Sequence, residues 1–196
     1  TPSVTIFFPA QYGGYWMENF YLMKIAQQTR YVVQHLRNMD SGGRRIKILI
    51  SAHQMETGLS TQFERGNAKQ SARYITPSII LDLLVDLEDL GATLVMEHWT
   101  PPTNGGAIMQ ELIEKGLPNE MLKNLNRTRM WLQVHDLQDI ALCDTKRVHP
   151  GYLAGEKVRR STWTWPKWRP GQNWKETWRS TLNTYLKPRF PLARGM

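Results

Sequence analysis

The sequence predicts a mainly α protein: a helical, bundle-like body with a few short strands and an irregular, basic, Trp-rich C-terminal arm. Three features predict it. Apolar residues recur at helical spacing over several long stretches. Helix-starting and helix-stopping residues bracket those stretches, as at Pro77 and Gly91, or Pro118 and Pro188. Hydrophobic residues make up 41% and charged residues 21% of 196, enough for a buried core and too apolar for a disordered chain.

Taken in order, Val4 to Phe8 is β-prone and closes at Pro9 and the Gly13-Gly14 pair. A helix follows from about Tyr15 to Arg37. Its stripe is Trp16, Phe20, Met23, Gln27 and Tyr31, widened by Leu22, Ile25, Val32 and Leu36. Asp40 to Gly43 is a turn. Residues 45–55 are ambiguous, because Ile46, Ile48 and Ile50 alternate like a strand. Ile46, Leu49, Ile50 and His53 also share a helical face, and the helix is the preferred reading. Residues 60–74 read as a polar loop. Thr76 as N-cap and Pro77 at the first helical position open a helix to Leu90, stopped by Gly91. Its buried face is Ile79, Ile80, Leu83, Leu84, Leu87 and Leu90. Thr93 to Met96 is a candidate strand. Asn104 caps a helix to Lys115, and Pro118 opens the longest helix, to about Ala141. Residues 144–171 are rich in Gly and Pro and read as irregular. Asn173 and Glu176 form a capping-box pattern at the start of a last helix, to about Leu186.

Charge divides the chain. Residues 145–196 hold twelve Lys/Arg against Glu156 and Glu176, a net +10, while residues 1–144 hold thirteen against fifteen acids, a net −2. Five of the eight tryptophans lie in the same C-terminal quarter. The expected organisation is therefore a near-neutral body, 1–144, and a basic arm, 145–196, packed on it.

Several classes of chemistry find no pattern. The single Cys143 leaves no disulfide framework and no Cys-rich zinc module. The five histidines never pair at i+3 or i+4, so no zinc site or cofactor is expected. No phosphate-cradling or nucleophile-elbow glycine motif occurs, and Gly105-Gly106 reads as a turn. Asp82, Asp86 and Asp89 form one helical stripe of the kind two-metal chemistry uses, but the opposite face is solidly apolar. An acidic outer face on an amphipathic helix is the plainer reading. A membrane span takes about 20 apolar residues, and acids interrupt the greasiest run, Ile79 to Leu90. No signal-peptide pattern stands near Thr1, whose place at the start points to a processed chain or a piece of a longer one. An intracellular protein, nuclear or cytoplasmic, is expected.

The arm carries the positive signal. Lys157, Arg159, Arg160, Trp163, Trp165, Lys167, Trp168 and Arg169 interleave cations with flat rings. Cations neutralise phosphates, and indoles stack on unpaired bases for about 1–3 kcal/mol each. Trp174 and Trp178, one turn apart on the last helix, are expected to pack instead.

Dispersed motifs add a resemblance. Leu125-Asn-Arg-Thr-Arg-Met-Trp-Leu-Gln-Val134 followed by Leu137-Gln-Asp-Ile140 is similar to a stretch after the polymerase core in reverse-transcriptase-like retrotransposon proteins. Pro9 to Gly14, His35-Leu36-Arg37, Trp99 to Pro102 before Ile108-Met109, Trp165-Pro166, Trp174, Trp178-Arg179 and Pro191-Leu192 follow the same order. The resemblance implies a thumb-like, C-terminal part that grips RNA or an RNA/DNA hybrid, within a larger polypeptide or complex. The catalytic Tyr-x-Asp-Asp turn of the palm is missing, since no Asp-Asp dipeptide occurs. The expected function is thus a non-catalytic nucleic-acid-binding module. Two alternatives stand beside it. One is a structural or assembly subunit docking on an acidic protein or ribonucleoprotein. The other is a degenerate ribonuclease-H-like domain, which would need an aspartate where Ser51 and Ala52 stand.

Overall fold

The computed structural model describes residues 19–96, 106–142, 148–158 and 169–186. Of these residues 67% are helical, in nine α-helices without a sheet, so the protein is mainly α. Strand content among the described residues is two isolated antiparallel bridges, Ala107 to Asp136 and Ala141 to Val148. Residues 93–96, expected as a strand, are extended coil.

Helix α1 (Phe20–Asn38) is capped by Asn19, whose side chain accepts from the Tyr21 and Leu22 amides. It pairs with α2 (Ser41–Thr57) across a two-residue turn at Met39 and Asp40. Asp40 is the hinge of that hairpin, accepting from Gly43 N at 2.8 Å and pairing with His35 Nδ1 at 2.7 Å. The expected stripe on α1 is corrected. Ile25 and Val32 are buried, whereas Phe20 is 76% and Tyr31 55% exposed. Among the described residues the helix packs mainly on α2 and α4 (Ile79–Asp89, below), and a narrow i, i+7 line seats it there. Lys24 and Tyr21 reach across to Asp86 at 2.8 and 3.1 Å.

The helical reading of 45–55 holds. Ile46, Ile50, His53 and Gln54 of α2 point into the core, and Ile48 is left exposed. The polar stretch 60–74 is more ordered than expected: a 3₁₀ turn (Phe63–Arg65) and α3 (Ala68–Ser71) lie within it. Gln54 organises the first of these, donating to Leu59 O and Thr61 O and accepting from Phe63 N. Phe63, 1% exposed, is thereby held against the His53 ring, with centroids 5.1 Å apart.

Helix α4 (Ile79–Asp89) starts two residues past the expected proline. Ser78 is its N-cap, accepting from Leu81 N, and Thr76 has a different task. Thr76 donates both its amide and its hydroxyl to Glu56 Oε1, fastening this loop to the end of α2. Glu56 Oε2 faces His53 Nδ1 at 3.3 Å, and His53 Nε2 lies 2.6 Å from Ser78 Oγ. The chain Thr76, Glu56, His53, Ser78 thus ties α2 to the start of α4. Ile80, Leu81, Leu83, Leu84 and Leu87 are buried, while Ile79 and Leu90, at the two ends, are exposed.

Helix α5 (Ile108–Glu114) buries Ile108, Met109 and Leu112 completely. The helix expected to run from Pro118 to Ala141 is two. Helix α6 (Asn119–Leu132) ends at Gln133, whose φ of 60° is left-handed. Helix α7 (Leu137–Ile140) restarts from Asp136. The break is local chemistry: Asp136 accepts from Asp139 N, and Asp139 Oδ2 accepts in return from His135 N and Asp136 N. A reciprocal cap satisfies amides that a continuous helix would have paired with carbonyls, so the chain turns without loss. Helix α8 (Pro150–Leu153) and α9 (Trp174–Thr181), continued by a π turn (Leu182–Leu186), complete the described chain. Asn173 is N-cap of α9 but takes a left-handed φ of 58° and makes no side-chain cap bond, so the expected capping box does not form.

One core joins these elements. Tyr152, Trp178, Leu182 and Leu186 belong to the same buried cluster as Ile50, Leu84, Met109 and Leu125.

His135 is enclosed in this core with both ring nitrogens lacking a partner among the described residues. Burial, helped by the nearby Arg129 cation, lowers its pKa to about 3. The unfolded chain takes up a proton below about 6.5 and the native state does not. Stability is therefore lost as pH falls from about 6.5 towards 3, at up to about 1.4 kcal/mol per pH unit. Glu64 and Asp136, raised by burial, oppose this trend. Urea unfolding at pH 7.0, 5.5 and 4.5 isolates the histidine by comparison with His135→Leu. The variant should gain on the wild type as pH falls, and a constant difference would refute the assignment.

Candidate nucleic-acid interface

Helix α6 divides the molecule into an inner and an outer side. Leu122, Leu125, Asn126, Arg129, Met130 and Leu132 face inward and are buried. The outward residues Glu120, Lys123, Arg127 and Trp131 follow one another at i+3 or i+4 along the opposite side, with Asn124 beside them. Thus the segment that carries the resemblance, Leu125 to Val134, is mostly core, and only Arg127, Trp131 and Gln133 leave it.

The C-terminal segments are laid on α6. Trp178 of α9 has no solvent exposure, and its indole N–H donates to Tyr152 O at 3.0 Å. Arg179 Nε donates to Leu153 O one turn along. Gly155 explains how the chain can pass so near α9. Its φ is +72°, and a Cβ there would stand 3.0 Å from both Trp174 Cζ3 and Lys175 Cγ. Trp174 is half-buried against the core, so both tryptophans of the last helix pack.

Of the eight residues singled out in the sequence, Lys157 and Arg169 fall in described segments, and both are exposed. Lys157 Nζ stands 4.1 Å from the centroid of the Trp131 ring, a cation–π contact worth about 0.5–1 kcal/mol at such a surface. Gly171 faces Asn124 Oδ1 of α6. Arg159, Arg160, Trp163, Trp165, Lys167 and Trp168 lie outside the described residues. Lys157 is thus brought to α6, and Arg169 is exposed two residues before Gly171, which meets the same helix.

The surface has cations that the charge count hid. Lys123 and Arg127 stand on α6, and Arg73 faces them from the loop before α4 across a cleft of about 280 Å³. All three belong to residues 1–144, whose net charge is negative, so a regional sum passed over them. The i, i+4 spacing of Lys123 and Arg127 was the signal available. Carboxylates Glu120, Glu156 and Glu176 are interspersed on this side, and Glu120 pairs with Lys123 at 3.0 Å.

The acidic stripe of α4 is engaged elsewhere. Asp86 binds Lys24 and Tyr21, and Asp89 binds Lys69. Among the described residues no group of three His, Cys, Asp or Glu is placed to hold a metal ion. No described helix is long and apolar enough to cross a membrane. No protein-family model, curated protein or solved structure matches this chain.

Proposed function

We propose that this chain is a non-catalytic nucleic-acid-binding module, the thumb-like C-terminal part of a reverse-transcriptase-like protein, gripping RNA or an RNA/DNA hybrid. The observation that carries the reading is the seating of the described C-terminal segments on the body. Trp178 is buried in the common core, and Lys157 lies over Trp131 of α6, the helix that also carries Lys123 and Arg127. Cations so held lose less conformational freedom on meeting a phosphate backbone than cations on a free tail. The motif resemblance supplies the polymerase context, and the alternation of Lys, Arg and Trp over 157–169 supplies the stacking component.

Binding by phosphate neutralisation is salt-dependent. Each phosphate contact contributes a slope of about 0.7–0.9 in log K against log salt, so four contacts predict roughly a hundredfold loss between 50 and 200 mM. Anisotropy titration of labelled single-stranded RNA, single-stranded DNA and a hybrid duplex tests this, with Lys157→Glu/Arg169→Glu as the comparison. Charge reversal is preferable to removing residues 145–196, because Tyr152, Trp178 and Leu182 are core residues. A flat salt response, or unchanged affinity in the double variant, would turn attention to an acidic protein partner.

A further inference from the structure

The cleft between α6 and residues 72–77 has walls of two kinds. Ile75, Pro77 and Met130 supply an apolar floor, and Arg73, Lys123 and Arg127 surround it with positive charge. The remaining polar wall groups are turned inward and occupied. Glu56 accepts twice from Thr76 and pairs with His53. Asn126 Nδ2 donates to Glu56 O, and its Oδ1 accepts from Arg129. The Tyr74 hydroxyl donates to Thr57 O.

We propose that this cleft is a seat for the phosphate of one nucleotide unit, bound without regard to the base. Side chains that could read a base edge have already spent their donors and acceptors inside the protein, whereas guanidinium and ammonium groups recognise phosphate oxygens of any sequence. The volume lies at the lower limit of small-molecule sites, about 300–1,000 Å³, which suits a sugar-phosphate unit rather than a large cofactor. The floor gives a sugar or base an apolar surface to lie on. Two carboxylates border the site, and neither stands free: Glu56 is held by Thr76 and His53, and Glu120 by Lys123.

The location deepens the proposed function and rests on it. Lys123 and Arg127 share the outer side of α6 with Asn124, which Gly171 faces, and with Trp131, on which Lys157 lies. A strand crossing α6 would pass from the C-terminal cations into the cleft and on to Arg73, about fifty residues upstream in sequence.

The test uses the full chain, a labelled oligouridylate and free uridine 5′-monophosphate. The variants are Arg73→Ala, Arg127→Ala, their combination, and Lys157→Ala/Arg169→Ala as the reference. Arg73 is fully outside the core, so its substitution leaves the fold intact. Each cleft substitution should weaken oligonucleotide binding by about 5- to 10-fold, equally for uridylate and adenylate, and lower the salt slope by about 1. Amide shifts on adding the mononucleotide should centre on 73–77 and 123–127. Full affinity in the cleft double variant, with loss only in Lys157→Ala/Arg169→Ala, overturns the cleft and leaves the proposed function standing. Loss only in the cleft variants keeps the cleft and removes the C-terminal cations from the interface. No loss in any variant overturns both.

Discussion

Arg129→Met should destabilise the protein by about 3–5 kcal/mol, the cost of breaking a buried, fully bonded charge site from one side. Arg129 has no solvent exposure. Its Nη2 donates to Met55 O at 2.7 Å and Glu56 O at 3.0 Å, its Nη1 to Val134 O at 3.1 Å, and its Nε to Asn126 Oδ1 at 3.1 Å. The two carbonyls on α2 belong to its last turn, where no further helical amide can reach them. The neighbouring ones are also supplied: Gln54 O accepts from Thr57 Oγ1 and Gly58 N, and Thr57 O from the Tyr74 hydroxyl. So the C-terminus of α2 is closed by groups from α6 and the 74 loop, with a cation at the negative end of its dipole.

Burial lowers the Arg129 pKa to about 10, so the side chain stays charged at neutral pH. Methionine would fill part of the space and deprive Met55 O, Val134 O and Asn126 Oδ1 of the guanidinium, while Glu56 O would keep Asn126 Nδ2; each group left unmet costs about 1–3 kcal/mol. Arg129→Lys should recover less than half of the loss, since an ammonium has three donors and no planar fork. Gly58 sets a further limit: its φ is +63°, and a Cβ there would lie 2.7 Å from Arg129 Cζ. Thermal unfolding reads the result, about 10 °C or more below the wild type for Arg129→Met in a chain of this size. A change under 1 kcal/mol would mean that water replaces the guanidinium without cost.

The second large effect is at Trp178. Trp178→Ala removes the largest fully buried side chain among the described residues and should cost about 3–5 kcal/mol. It also orphans Tyr152 O, the acceptor of the indole N–H. Because α9 is held chiefly by this ring together with Leu182 and Leu186, the loss should be expressed first as local opening. Amide exchange over 174–186 and trypsin cleavage after Lys175 and Arg179 should accelerate well before global unfolding. Trp178→Phe keeps much of the volume and should cost less, about 1 kcal/mol of that for the missing hydrogen bond. If α9 exchanges no faster in Trp178→Ala, the C-terminal helix is held by something other than its tryptophan.

Both sites lay within reach of sequence reasoning to different degrees. The spacing of Trp174 and Trp178 already points to packing. Arg129 falls in the apolar stripe of Leu122, Leu125 and Leu132, and Arg127, two residues away, falls on the opposite side, so spacing separates the two. Only the position of α2 supplies the carbonyls that Arg129 binds. The same holds for the cleft. Arg73 and Arg127 are far apart in sequence, and a regional charge balance records neither.

What the sequence determined by itself is the helical character and most helix positions, including α2 against a competing strand reading. Apolar spacing and caps act within about four residues, and that range is enough to choose helix over strand. Tertiary structure decided which face of α1 is covered, why Thr76 serves Glu56 and leaves Ser78 to cap α4, and what the buried arginine of α6 binds. Those outcomes depend on partners 20 to 74 residues away, whose carbonyls and carboxylates must be satisfied once water is excluded. Local pattern carries no information about such partners, because the energy that selects them appears only when the helices meet.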